Sequence, residues 1–472
     1  MRRYLLPVLL VLVAGALGFG AMRAGADDVG LGEPMEINHP VTPVLSGRRV
    51  PVFLAAPVAD RNLATAMADV MTRSPERTCV KITYAGRTLF EQNPDTPVVP
   101  ASTEKLVTAV TALEVLGPDT RFRTSVVATA PAAAGGVVQG DLWVVGGGDP
   151  LLSTAPYSAH FEQQPQIATP LESLADAIVK AGITRVSGRI LGDESRYDSE
   201  RYLPAWPVRF RAQNQTGPLS ALSVNDAFAN YPPKDFDGAP EEVPAEDPPA
   251  FAAGTLAVLL KERNVVITGG AAGSKAPEGA VELAAVESPP VREVVRQMLS
   301  ESDNQTAELL VKEIGRARTG QGTTAAGVPV VNETVKQLGL AGDEVAVTDG
   351  SGLDANNQIS CRLLSGVLDR AGFESDIGQG LPVAGETGTL AKRFLQSPAK
   401  GRLHGKTGTL NNVTALAGFV ETTQGPTLTF SYVANGRPVT DGLLKLQEDL
   451  GAVLLRYPEG PPLEQLVPKP AG

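Results

Sequence analysis

The stretch His404-Gly-Lys-Thr-Gly-Thr-Leu410 decides how this chain is read. Chance supplies Lys-Thr-Gly on the order of once in ten chains of this length and composition. Here Lys406-Thr407-Gly408 lies in an otherwise strand-like run, and Gly405 and Gly408 leave room for another backbone to come close. That pattern suits an edge strand laid against an extended peptide. Lys406 and the hydroxyls of Thr407 and Thr409 can hold a carboxylate, and the Thr409 N–H is a candidate oxyanion donor. Losing one such donor typically costs ~2.7–4 kcal/mol of barrier. The bland alternative is a charged residue guarding an exposed edge strand. His404 is read as lining that strand.

Two companions stand upstream in a consistent order. Ser102-Thr-Glu-Lys105 falls where a helix should begin, since Leu106, Val107, Val110, Leu113 and Leu116 form an apolar stripe that Gly117-Pro118 ends. A serine at a helix N-terminus has a free backbone N–H to offer an oxyanion. Lys105 lies one turn on, so its amine can reach the Ser102 hydroxyl. Burial and the helix dipole both disfavour its ammonium form, which makes it a plausible base at neutral pH. The alternative is a helix cap followed by a surface lysine, and roughly two Ser-x-x-Lys matches are expected in such a chain. A second match, Ser397-Pro-Ala-Lys400, is set aside because no apolar stripe follows its lysine. Ser302-Asp303-Asn304 sits between two helical patterns. Its serine can relay a proton between Lys105 and a departing nitrogen, and its asparagine amide can hold a substrate amide; all three residues are also ordinary helix caps. Ser223-Val-Asn225 has the same spacing without that setting. Together Ser102, Lys105, Ser302, Asn304 and Lys406 supply a nucleophile, a base, a relay and a cation without any histidine.

An echo of the first stretch, Gly385-Glu-Thr-Gly-Thr-Leu390, puts Glu386 where the lysine stands and is not a second carboxylate clamp. Arg393, three residues after it, is carried as a candidate substrate contact.

The chain has 472 residues, 43% hydrophobic and 20% charged, with a net charge of −11. That is globular composition with no footprint for nucleic acid. Its three histidines, His39, His160 and His404, make a Ser-His-Asp triad or a histidine metal site improbable, and neither a metal nor a cofactor is implied. Arg2 and Arg3, an apolar run to Met22 and Ala24-Gly25-Ala26 form a signal peptide, or a retained membrane anchor, over 1–26; either implies export to the periplasmic, cell-wall or extracellular space. Cys79 and Cys361 could pair there, but spacing leaves the question open.

Beyond the leader, 27–57 reads as a linker or arm. A helix is expected over 58–73, then strands Cys79–Tyr84 and Thr88–Glu91, then the Ser102 helix. Residues 123–288 read as an inserted β-rich module with a helix near 171–181 and a proline-rich acidic loop over 231–250. Helical patterns resume at 290–299 and 304–315, three strands follow at 402–411, 413–422 and 427–434, and a last helix covers about 440–455 before a Pro-rich tail, 458–472. The expectation is a discontinuous α/β domain, 58–122 plus 289–457, in which helices cover an antiparallel sheet.

With these residues in place, the chain resembles the class C low-molecular-mass penicillin-binding proteins, D-alanyl-D-alanine carboxypeptidases/endopeptidases. The resemblance runs from about 58 to 456. It includes Gly140-Asp-Leu-Trp-Val-Val-Gly-Gly-Gly-Asp-Pro-Leu-Leu152, Gly192-Asp-Glu-Ser195, Leu222-Ser-Val-Asn225, Asp349-Gly-Ser-Gly-Leu353 and Lys406-Thr-Gly-Thr-Leu-Asn-Asn-Val413. It implies a penicillin-recognising serine-transferase fold of the DD-peptidase/β-lactamase type. It also implies attack by Ser102 on the penultimate D-Ala carbonyl of a peptidoglycan stem peptide, and acylation by β-lactams as inhibitors. Three rivals stay open: a β-lactamase, which needs an added base for deacylation; a non-enzymatic receptor for wall peptide or β-lactam; and a transpeptidase.

Overall fold

Alternation at a period of two sorts the side chains of one sheet into two separate cores. In the computed structural model, residues 51–231, 242–342 and 345–460 are described. The expected leader 1–26, the arm up to residue 50, part of the 231–250 loop and most of the 458–472 tail lie outside them. The sheet contains β1 (Arg77–Tyr84), β2 (Arg87–Gln92), β3 (Leu403–Leu410), β4 (Val413–Glu421) and β5 (Thr427–Asn435), in the antiparallel order β3-β4-β5-β1-β2. On β4, Ala415, Ala417 and Phe419 enter one core while Leu416 and Val420 enter the other; on β5, Val433 parts from Phe430 and Tyr432 in the same way.

The first core is closed by α2 (Lys105–Val115), α3 (Val291–Glu301), α4 (Asn304–Thr319), α5 (Thr324–Gln337) and α6 (Cys361–Ala371). The second is closed by α1 (Pro51–Arg73) and α7 (Asp441–Leu455), through Leu63, Met67, Leu446 and Leu450. The result is helices, sheet, helices, with β3 at the edge as its glycines suggested. The helix expected from 58 begins at Pro51, so part of the expected arm is helical. Pro51 occupies a helix start, where its missing N–H is no loss, and Pro57 is tolerated inside.

The insertion leaves and rejoins this body through paired strands: Arg123–Ala128 lies antiparallel to Val281–Glu287. They belong to a five-stranded sheet in which Leu142–Val145, Ile190–Asp193 and Ala271–Gly273 run parallel. Helices Leu171–Lys180 and Pro248–Glu262 pack on it, so the insertion is mixed α/β rather than β-rich. The second helix starts inside the stretch read as a loop. Pro248 and Pro249 occupy its first turn and Asp247 caps it, accepting from the Ala250 N–H at 3.1 Å. A smaller core of Tyr197, Leu203, Trp206, Phe210 and Leu219 closes over Leu309 of α4 and Leu353.

Cys79 of β1 and Cys361, the first residue of α6, form a disulfide with Cα atoms 5.8 Å apart, joining positions separated by 282 residues. The pairing that spacing left open is settled by the sheet: period two turns Cys79 towards the helical face, where α6 begins. A crosslink over so long a loop restricts the unfolded chain strongly, by about 2–5 kcal/mol for typical native bridges. The double variant C79S/C361S should therefore unfold at a clearly lower urea midpoint than the oxidised protein. An unchanged midpoint would count against that stabilisation.

Candidate active site

Three segments far apart in the chain meet where the edge of the sheet touches the helical layer. The first is a 3-10 turn, Ala101–Glu104, ahead of α2; Ser102 therefore sits in that turn, not in the α-helix itself. The turn packs directly on β3. A Cβ at Gly408 would lie 2.7 Å from the Pro100 carbonyl oxygen, so glycine is what lets strand and turn approach. Ala101 takes a left-handed φ of 48°, which turns the chain so that Ser102 remains partly open while Lys105 is buried.

Lys105 Nζ has three polar neighbours: Ser102 Oγ at 3.1 Å, Asn304 Oδ1 at 2.6 Å and the Ser351 carbonyl oxygen at 2.8 Å. Two of these can only accept. A neutral amine has two N–H groups and one lone pair. If both N–H groups go to Asn304 and Ser351, the lone pair is left for the Ser102 hydroxyl proton. Burial, the largest cause, lowers the Lys105 pKa to about 8 against the pull of Asp349, Glu308, Asp303 and Glu104.

Ser302 is the left-handed residue (φ 60°) that ends α3, and Asp303 caps α4, accepting from the Thr306 N–H at 3.0 Å. The capping reading of this motif is thus seen at Asp303 and at the end of α3. Lys406 Nζ donates to Ser302 Oγ at 2.7 Å and to the Thr407 carbonyl at 2.9 Å. The Ser302 hydroxyl is thus partnered by Lys406, where the sequence had suggested a link to Lys105. Asn304 Nδ2, expected to meet a substrate amide, donates to the Gln215 carbonyl of the insertion at 2.6 Å. Lys406 is also wholly buried; burial first, and the Lys105 charge second, push its pKa well below the usual lysine value.

Thr407 Oγ1 lies 2.8 Å from Thr389 Oγ1, and Thr409 is exposed on the same edge. The echo thus borders the site through Thr389, which sequence reasoning passed over, while Glu386 points to solvent. Arg393 is not brought to the site. Its guanidinium donates to Gln447 Oε1 at 2.9 Å on α7, across the sheet from the helical layer, and this corrects its reading as a substrate contact. His404 lines β3 beside Phe373 and Glu421.

The loop Asp349–Leu353 also escaped residue-level reasoning. Buried Asp349 accepts from the N–H groups of Gly352 and Asp354 at 2.8 and 2.7 Å, and from Trp206 Nε1 at 2.9 Å. Gly352 has φ 82°, and a Cβ there would lie 2.0 Å from the Ala101 carbonyl oxygen, against the turn that carries Ser102.

A model of the D-Ala-D-Ala carboxypeptidase 3 (S13) family matches residues 59–231 and 231–455. The chain is 30% identical over 455 residues to a D-alanyl-D-alanine carboxypeptidase of Actinomadura sp., covering 80% of this chain and 81% of that protein. It is 30% identical over 463 residues to carboxypeptidase DacB of Mycolicibacterium smegmatis, covering 94% and 95%. Among solved structures it superposes on penicillin binding protein 4 (dacB) from Haemophilus influenzae with a TM-score of 0.69 and 21% identity, over 83% of this chain and 99% of that one. That likeness shows the penicillin-recognising serine-transferase fold.

Two outcomes follow from the geometry. Lys105 can accept a proton only as the free amine, so acylation by a penicillin should rise with pH and reach half its plateau near pH 8, from the lysine pKa of about 8. A rate independent of pH between about 6 and 9 would contradict this. In G352A the new methyl group meets the Ala101 carbonyl and must displace the Ser102 turn. Its acylation rate should fall roughly tenfold to a hundredfold while circular dichroism stays native.

Proposed function

The chain belongs to the D-Ala-D-Ala carboxypeptidase 3 (S13) family, and we propose that it runs that family's reaction through Ser102, with Lys105 as base and Lys406 with Ser302 as the second proton carrier. The protein is a serine-type D-Ala-D-Ala carboxypeptidase, acting on peptidoglycan stem peptides and binding β-lactams. The observation that carries the assignment is the Lys105 amine, whose two N–H groups have acceptors in Asn304 and Ser351 and whose third neighbour is Ser102 Oγ.

In the proposed sequence the terminal D-Ala carboxylate lies against Lys406 and the hydroxyls of Thr407 and Thr409. Ser102 Oγ attacks the penultimate carbonyl carbon as its proton passes to Lys105. The N–H groups of Ser102 and Thr409 hold the oxyanion. The C–N bond breaks, and the departing amine takes a proton from the Ser302 hydroxyl, which regains one from Lys406. The acyl-enzyme now holds a protonated Lys105 and a neutral Lys406. Water attacks the ester, its proton returns through Ser302 to Lys406, and Lys105 gives its proton back to Ser102 Oγ. Both amines end as they began. The same steps cleave a cross-link when the leaving amine belongs to a second stem peptide. A β-lactam amide opens in the same way, except that its leaving nitrogen stays tethered to the acyl group.

We further propose that the chain is exported. The basic, apolar and small-residue order of 1–26 supports this, and so does a buried disulfide, which is rare in reducing compartments.

Incubation with a D-Ala-D-Ala-ended peptide should release free D-alanine, and mass spectrometry after penicillin treatment should locate the adduct on Ser102. K105A should fold yet acylate roughly 10²–10⁴-fold more slowly. An adduct on another residue, or near-normal labelling of K105A, would falsify the assignment. Rapid loss of the adduct without peptide turnover would mark a β-lactamase instead.

A further inference from the structure

Beneath Lys105 lies a group that this reaction sequence does not use. Glu308, in the second turn of α4, is wholly buried. Its Oε1 accepts the backbone N–H groups of Gly350 at 3.1 Å and Ser351 at 2.8 Å. The carbonyl of Ser351 is the one that accepts from Lys105 Nζ, and the carbonyl of Gly350 accepts from the Thr108 hydroxyl of α2 at 2.7 Å. One carboxylate oxygen thus pins the N–H groups of two consecutive residues, Gly350 and Ser351, whose own carbonyls both point at α2. Glu308 Oε2 is buried with no hydrogen-bonding partner among the described residues.

We propose that Glu308 is a positioning residue for the base, holding and tuning Lys105 through the Ser351 carbonyl. The lone pair of a neutral amine points wherever its two N–H groups leave it. Asn304 Oδ1 fixes one N–H, its amide being oriented by the bond from Nδ2 to the Gln215 carbonyl; Ser351 O fixes the other, its residue being anchored by the bond from the Ser351 N–H to Glu308. If the Ser351 peptide turned away, Nζ would rotate and its lone pair would leave Ser102.

Charge works through the same contact. Burial raises the Glu308 pKa to about 8, close to the value of about 8 at Lys105. An ionised Glu308 favours the ammonium, and a protonated one favours the free amine. The other charged or titratable groups facing this pair are Glu104 in the turn before α2, Asp303 at the head of α4, Asp349 in the loop and Lys406 on β3.

The inference rests on Lys105 being the base, and the test separates the two claims. Acylation by a fluorescent penicillin is measured from pH 5 to 10 for the wild type, E308Q and E308A, with rates referred to active sites titrated at saturation. Glutamine keeps the acceptor and removes the charge. E308Q should therefore keep a plateau close to wild type, while its acidic limb moves to lower pH by about half a unit or more. Alanine removes the acceptor, and E308A should lose roughly tenfold to a hundredfold in plateau rate. A merely structural glutamate would lower the thermal midpoint and leave the acidic limb where it is. An E308Q limb at the wild-type pH overturns the inference, as does a folded E308A acylating at the wild-type rate; if E308A does not fold, the E308Q limb alone decides. Should K105A be inactive while both Glu308 variants behave as wild type, this inference fails and the assignment of the base stands.

Discussion

Two lysine amines buried in one cleft, with hydroxyls and carbonyls as their hydrogen-bond partners, constrain everything built around them. Lys105 and Lys406 are both shielded from solvent, and the charge of each disfavours the charge of the other. Their hydrogen-bond partners are Ser102, Asn304 and Ser351 on one side and Ser302 and Thr407 on the other. None is a carboxylate. An acid salt-bridged to Lys105 would hold it as an ammonium, which cannot take a proton from serine. Keeping the acids one layer back, at Glu104, Glu308 and Asp349, leaves the amine near the point where it changes charge. In the proposed reaction sequence the two lysines act as a pair sharing one proton, as a cycle of acylation and hydrolysis requires.

Close approach of backbones is what holds such a pair together, and it explains where the chain adopts unusual conformations. Ala101 and Ser302 both take left-handed φ angles, which non-glycine residues adopt only when the surroundings enforce them. The first turns Ser102 out towards the cleft, and the second ends α3 so that Ser302, its cap, meets Lys406. Gly408 and Gly352 flank the same turn from the strand and from the 349–353 loop, each where a Cβ would strike a carbonyl of residues 100–101. The turn that carries Ser102 is clamped on two sides by residues with no side chain.

Much of this was legible in the sequence because it is local. Ser102 and Lys105 are one turn apart, Ser302 and Asn304 bracket a helix cap, and Lys406 stands among glycines on a strand. The long strands β4 and β5 carry enough alternation to be read, as do the stripes of α2 and α7. What was missed depends on contacts with no local signature. Glu308 looks like any glutamate in an amphipathic helix, and only the fold brings the Gly350 and Ser351 amides to it. Arg393 lay close in sequence to the site, but the chain turns it towards α7. The parallel strands of the insertion, such as Ile190–Asp193 and Ala271–Gly273, are too short for a period to emerge, and the prolines of the first turn of Pro248–Glu262 imitate a loop.

The insertion reaches the surroundings of the site at three places, each through hydrogen bonds of its own. Gln215 holds the Asn304 amide, which orients the oxygen facing Lys105. Trp206 holds Asp349, whose loop carries the Ser351 carbonyl. Gln163 pairs with both backbone groups of Gly388, beside the Thr389 hydroxyl that meets Thr407. A module that only widened the molecule would have no reason to contact Asn304, the Asp349 loop and Gly388 at once. Its entry and exit strands are paired, and these bonds tie its placement to how Asn304 and Ser351 present themselves to Lys105. The long separation of Ser102 from Ser302 is therefore part of the catalytic architecture: the intervening residues return to hold the site that they interrupt.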